Sequence, residues 1–209
     1  KYHLGLLLLD QRHQLLFRSE NIMDKQPIQG DNIRNVSEYN SLNGFVAAIT
    51  PFNFTAIGGN LASAPLLFGN SVLWKPSHNS MLSNHLFYEI MLEAGLPKGI
   101  LNFCPMEGKQ FLDIVAENKD LGALLFTGSS QVFDTIHSKI MGNVIGRKTY
   151  PRVIGETGGK NFHFVDESCK DNIFDIVNYT IESAFNYSGQ KCSACSVIYV
   201  PEELLDELI

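Results

Sequence analysis

Between residues 44 and 141 the sequence alternates four times between short apolar runs and segments with helical spacing, always through short connections. Gly44-Phe45-Val46-Ala47-Ala48-Ile49-Thr50 is continuously apolar, as a strand buried on both faces requires. Residues 51–60, Pro-Phe-Asn-Phe-Thr-Ala-Ile-Gly-Gly-Asn, read as a turn, and residues 61–68 as a small-residue helix closed by Gly69-Asn70. Residues 71–77 form the next strand, ended by Pro76. Residues 80–94 carry helical spacing at Leu82, Leu86 and Ile90 and stop at Gly95. A third strand at 100–104, a helix at 110–118 and a fourth strand at 121–126 follow, and Thr127-Gly128-Ser129-Ser130 then opens a helix over 131–141. This pattern predicts βαβ units, hence an α/β fold with a doubly wound parallel sheet. Ligands of such sheets bind beyond the carboxyl ends of the strands, here at residues 50–53, 75–77 and 127–130.

After residue 150 the texture changes. Residues 151–161 are laced with glycine and read as a turn leading to a strand at 162–165. Residues 171–187 read as a long helix with Ile173, Ile176, Val177, Thr180, Ile181 and Ala184 on one face. That helix delivers Gly189-Gln190-Lys191-Cys192-Ser193-Ala194-Cys195-Ser196 and then the strand-like residues 197–200. A boundary between a cofactor half and a catalytic half is expected near residue 150.

Composition removes several function classes. Sixteen basic against 22 acidic residues leave a net charge of −6, the wrong sign for a nucleic-acid binder. The four cysteines, Cys104, Cys169, Cys192 and Cys195, are too few for a disulfide framework and fit a reducing compartment. No apolar run approaches the roughly 20 residues of a membrane span. The sequence does not begin with Met. Leu6 to Leu9 are too short a run for a signal-peptide core. Arg12 and Arg18 suggest a transit peptide, against which Asp10 and Glu20 argue. Residues 1–40 are read as a leader.

Several side chains could carry chemistry. Cys192 stands among small neighbours at a helix–strand junction, where a substrate can reach a thiol. Thiolate is the best nucleophile at neutral pH once its pKa falls. A packed free cysteine is the plainer use of such a residue. Glu156, within Gly155-Glu156-Thr157-Gly158-Gly159, could act as a general base, although a lone glutamate in a turn usually just faces solvent. Asn53 could donate its amide to a developing oxyanion or simply close an Asx turn. Gly128 and Ser129 could offer backbone N–H groups and a hydroxyl to a phosphate, or form an ordinary N-cap. Lys75 could meet a phosphate or a ribose hydroxyl, or be a solvated surface lysine. No G-x-G-x-x-G follows a predicted strand. Cys192-x-x-Cys195 lacks the further ligands a zinc site needs, and the six histidines have no ligand spacing, so no metal is expected.

The order of these signals is more specific than any one of them. Pro-Phe-Asn-Phe, Trp-Lys-Pro-Ser, Phe-Thr-Gly-Ser, Gly-Glu-Thr-Gly-Gly-Lys-Asn and Gly-Gln-Lys-Cys-Ser-Ala, over residues 42–205, together resemble the aldehyde dehydrogenase superfamily. Residues 44–60, 159–165 and 190–196 resemble its branch acting on L-glutamate γ-semialdehyde, the open form of pyrroline-5-carboxylate. The resemblance implies NAD as cofactor and a free-acid product, within proline breakdown. It implies Cys192 as nucleophile, Asn53 and the Cys192 N–H as oxyanion hole, and Glu156 as the base activating water. Thr50, Lys75 and the run Gly128, Ser129, Ser130, Gln131 and Val132 match its cofactor-contacting positions. Where many relatives carry a ribose-binding glutamate shortly after the lysine, this chain has Ser77-His78. The resemblance further implies an NAD-binding domain over 41–150 and the start of a catalytic domain over 151–209. It implies a mitochondrial matrix location and a homo-oligomer whose arm is absent here. The Glu-x-Phe-Gly-Pro motif and the substrate-carboxylate loop would lie past residue 209, so the chain alone is expected to be inactive.

Overall fold

The computed structural model describes residues 26–208. Arg12, Arg18 and the leucines at 6–9, on which the leader reading rests, lie outside the described residues. By contacts the chain falls into two compact units. The first is Lys1–Phe126 with Ile136–Ile154, and the second is Thr127–Thr135 with Gly155–Ile209.

The first unit is built on strands β1 (Phe45–Ile49), β2 (Val72–Lys75), β3 (Leu101–Phe103) and β4 (Leu121–Gly128). With β5 (Arg152–Thr157) they stand in the order β3-β2-β1-β4-β5. β1 pairs in parallel with β2, Ile49 opposite Lys75, and with β4, Ile49 opposite Phe126; β2 pairs in parallel with β3. The chain winds outward from β1 in both directions, which makes the carboxyl end of β1 the topological switch point. This is the doubly wound α/β sheet expected of the sequence. Val46, Ala47, Ala48, Val72, Leu121 and Leu124 are all buried, so both faces of the central strands are covered. That is why they read as unbroken apolar runs rather than as alternation.

Four helices cover the sheet: α1 (Thr55–Ser63), α2 (Met81–Glu93), α3 (Gly108–Glu117) and α4 (Ser130–Met141). The stretch expected as a turn over 51–60 is already helical from Thr55. A Cβ on Gly58 would sit 2.7 Å from Asn84 Oδ1, and one on Gly59 would sit 2.9 Å from the Phe87 ring. These two glycines therefore serve close packing of α1 on α2 rather than a change of chain direction. A short 3₁₀ turn, Ala64–Phe68, continues α1 and ends at Gly69 in the left-handed conformation (φ 75°).

The face of α2 is the reverse of the one its spacing suggested. Leu82, Leu86 and Ile90 are 74%, 50% and 58% exposed, whereas Asn84, Phe87 and Met91 are buried. Phe87 meets Trp74 edge-on at 6.0 Å between ring centroids, and Phe103 meets Trp74 in the same way at 5.3 Å. Edge-to-face aromatic packing on the sheet, joined by the polar seam around Asn84, outweighs the leucine stripe.

In the second unit β6 (Asn161–Phe164) and β7 (Cys195–Tyr199) pair in parallel, accompanied by α5 (Ile173–Phe185) and α6 (Glu202–Leu208). Val165, Ile176 and Leu204 form its small core, with Ile173, Ile198 and Val200 packed against them. Phe162, Phe164 and Tyr199 stand exposed. The glycine-laced stretch expected as a turn at 151–161 contains strand β5, and α6 carried no expectation from the sequence. Among the described residues no helix is long and apolar enough to cross a membrane.

Candidate active site

In the first unit the candidate residues cluster around the carboxyl ends of β1 and β2. Thr50 follows β1 directly, and its N–H donates to the Lys75 carbonyl at 3.2 Å, prolonging the parallel ladder by one residue. The Thr50 hydroxyl is buried and accepts the indole N–H of Trp74 at 2.9 Å. Next comes the turn carrying Asn53, which is half-buried with its Oδ1 shut away from solvent. The turn is tied from below, because Ser80 Oγ donates to the Pro51 carbonyl at 3.3 Å and Asn84 Nδ2 donates to Ser80 Oγ at 2.9 Å. A polar seam beneath a loop fixes the loop more sharply than apolar contact would, since each unmade bond costs the desolvation of a buried group.

Lys75 departs from the solvated lysine that was its plainer reading. It is only 7% exposed, and no hydrogen bond or ion pair is found for its ammonium among the described residues. Burial pushes its pKa down, partly opposed by the charge of Glu107. The ammonium points at the start of α3, where a Cβ on Gly108 would lie 3.9 Å from Nζ.

In the second unit the cysteine loop is the most constrained piece of backbone. α5 runs out into Tyr187 (φ 55°), Ser188 (φ 56°) and Gly189 (φ 70°), three left-handed residues in succession. The left-handed region costs L-residues roughly 1–2 kcal/mol each, and such outliers persist only where the surroundings over-determine them. The chain then turns through Gln190 and Lys191 to Cys192, which is free and half-buried.

Two neighbours hold the loop. Asn161 Nδ2 donates to the carbonyls of Cys192 and Ala194, the latter at 3.1 Å. Gly159 lies so close that a Cβ there would fall 2.1 Å from the Cys192 carbonyl oxygen. The Gly-Gly-Lys-Asn run thus presses the backbone of the nucleophile candidate from one side, and only glycine fits at 159. Glu156 sits in β5, exposed, three residues before that contact.

Gly128 ends β4 and Ser129 precedes α4. The N–H of Val132 donates to Ser129 Oγ at 3.4 Å, the bond of a capping serine, while Ser130, Gln131 and Val132 are exposed along the first turn. A helix start with exposed N–H groups can accept an anion. Two hollows of about 260 and 250 Å³ lie beside the cysteine loop and share Tyr179, Ser183 and Ser193. Lys191 lines the first and Cys195 the second. Among the described residues no group of three or more His, Cys, Asp or Glu could hold a metal ion.

Sequence reasoning assigned no role to Asn161 or Glu107. An amide directly after Gly-Gly at a strand start was the available signal for Asn161. Glu107 gave none, because it reaches His78 and the surroundings of Lys75 only once β2 and α3 are folded.

A doubly wound sheet takes its ligands beyond the carboxyl ends of its strands, and in the first unit that position carries a polar turn. The chain belongs to the aldehyde dehydrogenase family, whose model matches residues 14–209. It is 48% identical over 185 residues to the mitochondrial delta-1-pyrroline-5-carboxylate dehydrogenase of Danio rerio, covering 88% of this chain and 33% of that protein. To the Homo sapiens protein of the same name it is 49% identical over 184 residues, 88% of this chain and 32% of that one. A crystal structure of the Mycobacterium tuberculosis delta-pyrroline-5-carboxylate dehydrogenase bound with NAD superposes with a TM-score of 0.84 at 37% identity. That match covers 91% of this chain and 35% of the other. The chain therefore spans about a third of the length of the relatives it matches.

Proposed function

We propose that this chain carries the dinucleotide-binding and nucleophile-bearing segments of an NAD-dependent dehydrogenase that oxidises L-glutamate γ-semialdehyde to L-glutamate in proline breakdown. The observation that carries the reading is its 49% identity to the human pyrroline-5-carboxylate dehydrogenase over 88% of the chain. The relatives' mitochondrial names support the same location for this protein.

The residues fit a dinucleotide. Lys75, buried as a residue and without a partner for its ammonium among the described residues, and an exposed helix start at Ser130 to Val132 both suit a polyanionic, hydroxyl-rich ligand. Thr50, Lys75 and Gly128 to Val132 would hold it. NAD, when bound, supplies the hydride acceptor.

The protein's own groups do the remainder. Cys192 Sγ adds to the aldehyde carbon, and the carbonyl oxygen becomes an oxyanion. By the family resemblance the Asn53 amide and the Cys192 N–H are the donors to that oxygen, and donors aimed at developing charge lower the barrier. Once oxidised, the substrate remains as a thioester on Cys192. Glu156 takes a proton from water, the hydroxide attacks the thioester carbonyl, and the thiolate leaves with the free acid released. The Asn161 bonds to the loop carbonyls support the reading, since they hold the Cys192 backbone while its sulfur changes partners.

The test is substitution in a version extended to the relatives' length. Cys192→Ala should cut aldehyde-dependent NAD reduction on the order of a thousandfold or more, with NAD affinity kept. Turnover surviving in that variant would refute the assignment.

A further inference from the structure

We propose that Glu107 is the residue by which this site prefers a free ribose 2′-hydroxyl to a 2′-phosphate, that is, NAD over NADP. The inference rests on the reading of Lys75 as a cofactor contact and goes beyond it by naming what selects between the two cofactors. Two features at the end of β2 attract electron-rich groups without discriminating among them. One is Lys75, a residue only 7% exposed, for whose ammonium no partner is found among the described residues; the other is the start of the ten-residue helix α3, against which it rests. Either would take a phosphate at least as well as a hydroxyl.

Glu107 changes that balance. It is the residue immediately before α3, and its side chain makes no capping bond to the helix. The carboxylate instead turns toward the β2 side, where His78 Nε2 lies 3.1 Å from Oε1. Its charge is felt by Lys75, raising the ammonium's pKa against the effect of burial. A carboxylate accepts hydrogen bonds and donates none. Beside Lys75 it can receive a ribose O–H while the ammonium donates to the ribose oxygens. A 2′-phosphate would instead bring a second anion, near two charges at neutral pH, against the carboxylate. Because Glu107 is well exposed, the repulsion is screened and the expected selectivity is moderate.

The test is a pair of direct titrations of the full chain with NAD and with NADP, by calorimetry, for wild type, Glu107→Gln and Glu107→Lys. The expected results are a wild-type preference for NAD and a fall in the ratio of the two dissociation constants of about five- to tenfold in Glu107→Gln. In Glu107→Lys the ratio should fall further. NAD bound by all three proteins with a ratio within twofold of wild type would overturn the role of Glu107 and leave the cofactor site standing. Wild-type preference for NADP would also overturn it. Wild type binding neither nucleotide would remove the cofactor reading of Lys75, and this inference with it.

Discussion

A lysine ammonium that loses more to burial than a nearby carboxylate returns to it raises the free energy of the folded chain. Lys75 is in that position, and its lowered pKa records the cost of keeping it charged. For a lysine with a depressed folded pKa the cost is fully present below that pKa and fades as the pH approaches the unfolded value near about 10.4. Lys75→Met should therefore raise the Tm at pH 7, with the gain shrinking as the pH climbs toward about 10.4, while NAD affinity falls about tenfold. Thermal melts across that range and nucleotide titration check the two halves independently. Tyr187 and Ser188 show the same kind of compromise in the backbone. Neither residue type favours the left-handed region, so nothing local in the sequence announces a turn there. The cysteine and its small neighbours were legible from residue type alone. The bend that presents them was not.

Among the elements, α3 and α4 are joined by the ion pair of Asp113 with Lys139. The hydrogen bond from Lys139, aided by Lys109, holds the Asp113 carboxyl below its usual pKa. A carboxylate shifted in that direction stabilises the fold above the unfolded value, near about 3.9, and that contribution disappears as the pH falls through the lower folded value. Asp113→Asn should thus lower stability at neutral pH and make the loss of structure below pH of about 4 less steep. Circular dichroism during acid titration measures both effects. The central strands were legible in the sequence because burial on both faces forces unbroken apolar runs. Helix α2 was legible as a helix but not in its orientation, since Leu82, Leu86 and Ile90 repeat well enough to look like a core stripe. Asn84, a poor core residue by type, goes inward because Ser80 accepts its amide. Gly58 and Gly59 looked like turn residues for a similar reason, since their value lies in what α2 brings against them. Glu107 was beyond sequence reasoning because His78, which it faces, is distant along the chain, and the signal at Asn161 did not say that its amide reaches Cys192, 31 residues on.

At the scale of the molecule the two units are unequally buried. The first has a five-stranded sheet with covered central strands, whereas the second rests a two-stranded sheet on a small core and leaves Phe162 and Phe164 66% and 68% exposed. Protection against hydrogen exchange follows buried apolar contact. Amides of β1, β2 and β4 should accordingly exchange slowest, and those of β6 and β7 markedly faster. Equal protection of the two sheets, read by mass spectrometry, would contradict this account.

Trp74 is the one tryptophan of the chain, wholly enclosed in the first unit with its indole N–H on Thr50. Its fluorescence is therefore an intrinsic lamp placed next to the end of β2. Excited selectively, it reports on what reaches Thr50 and Lys75 and on the melting of that sheet. No tryptophan lies in the second unit, so this emission follows the first unit alone in an unlabelled sample.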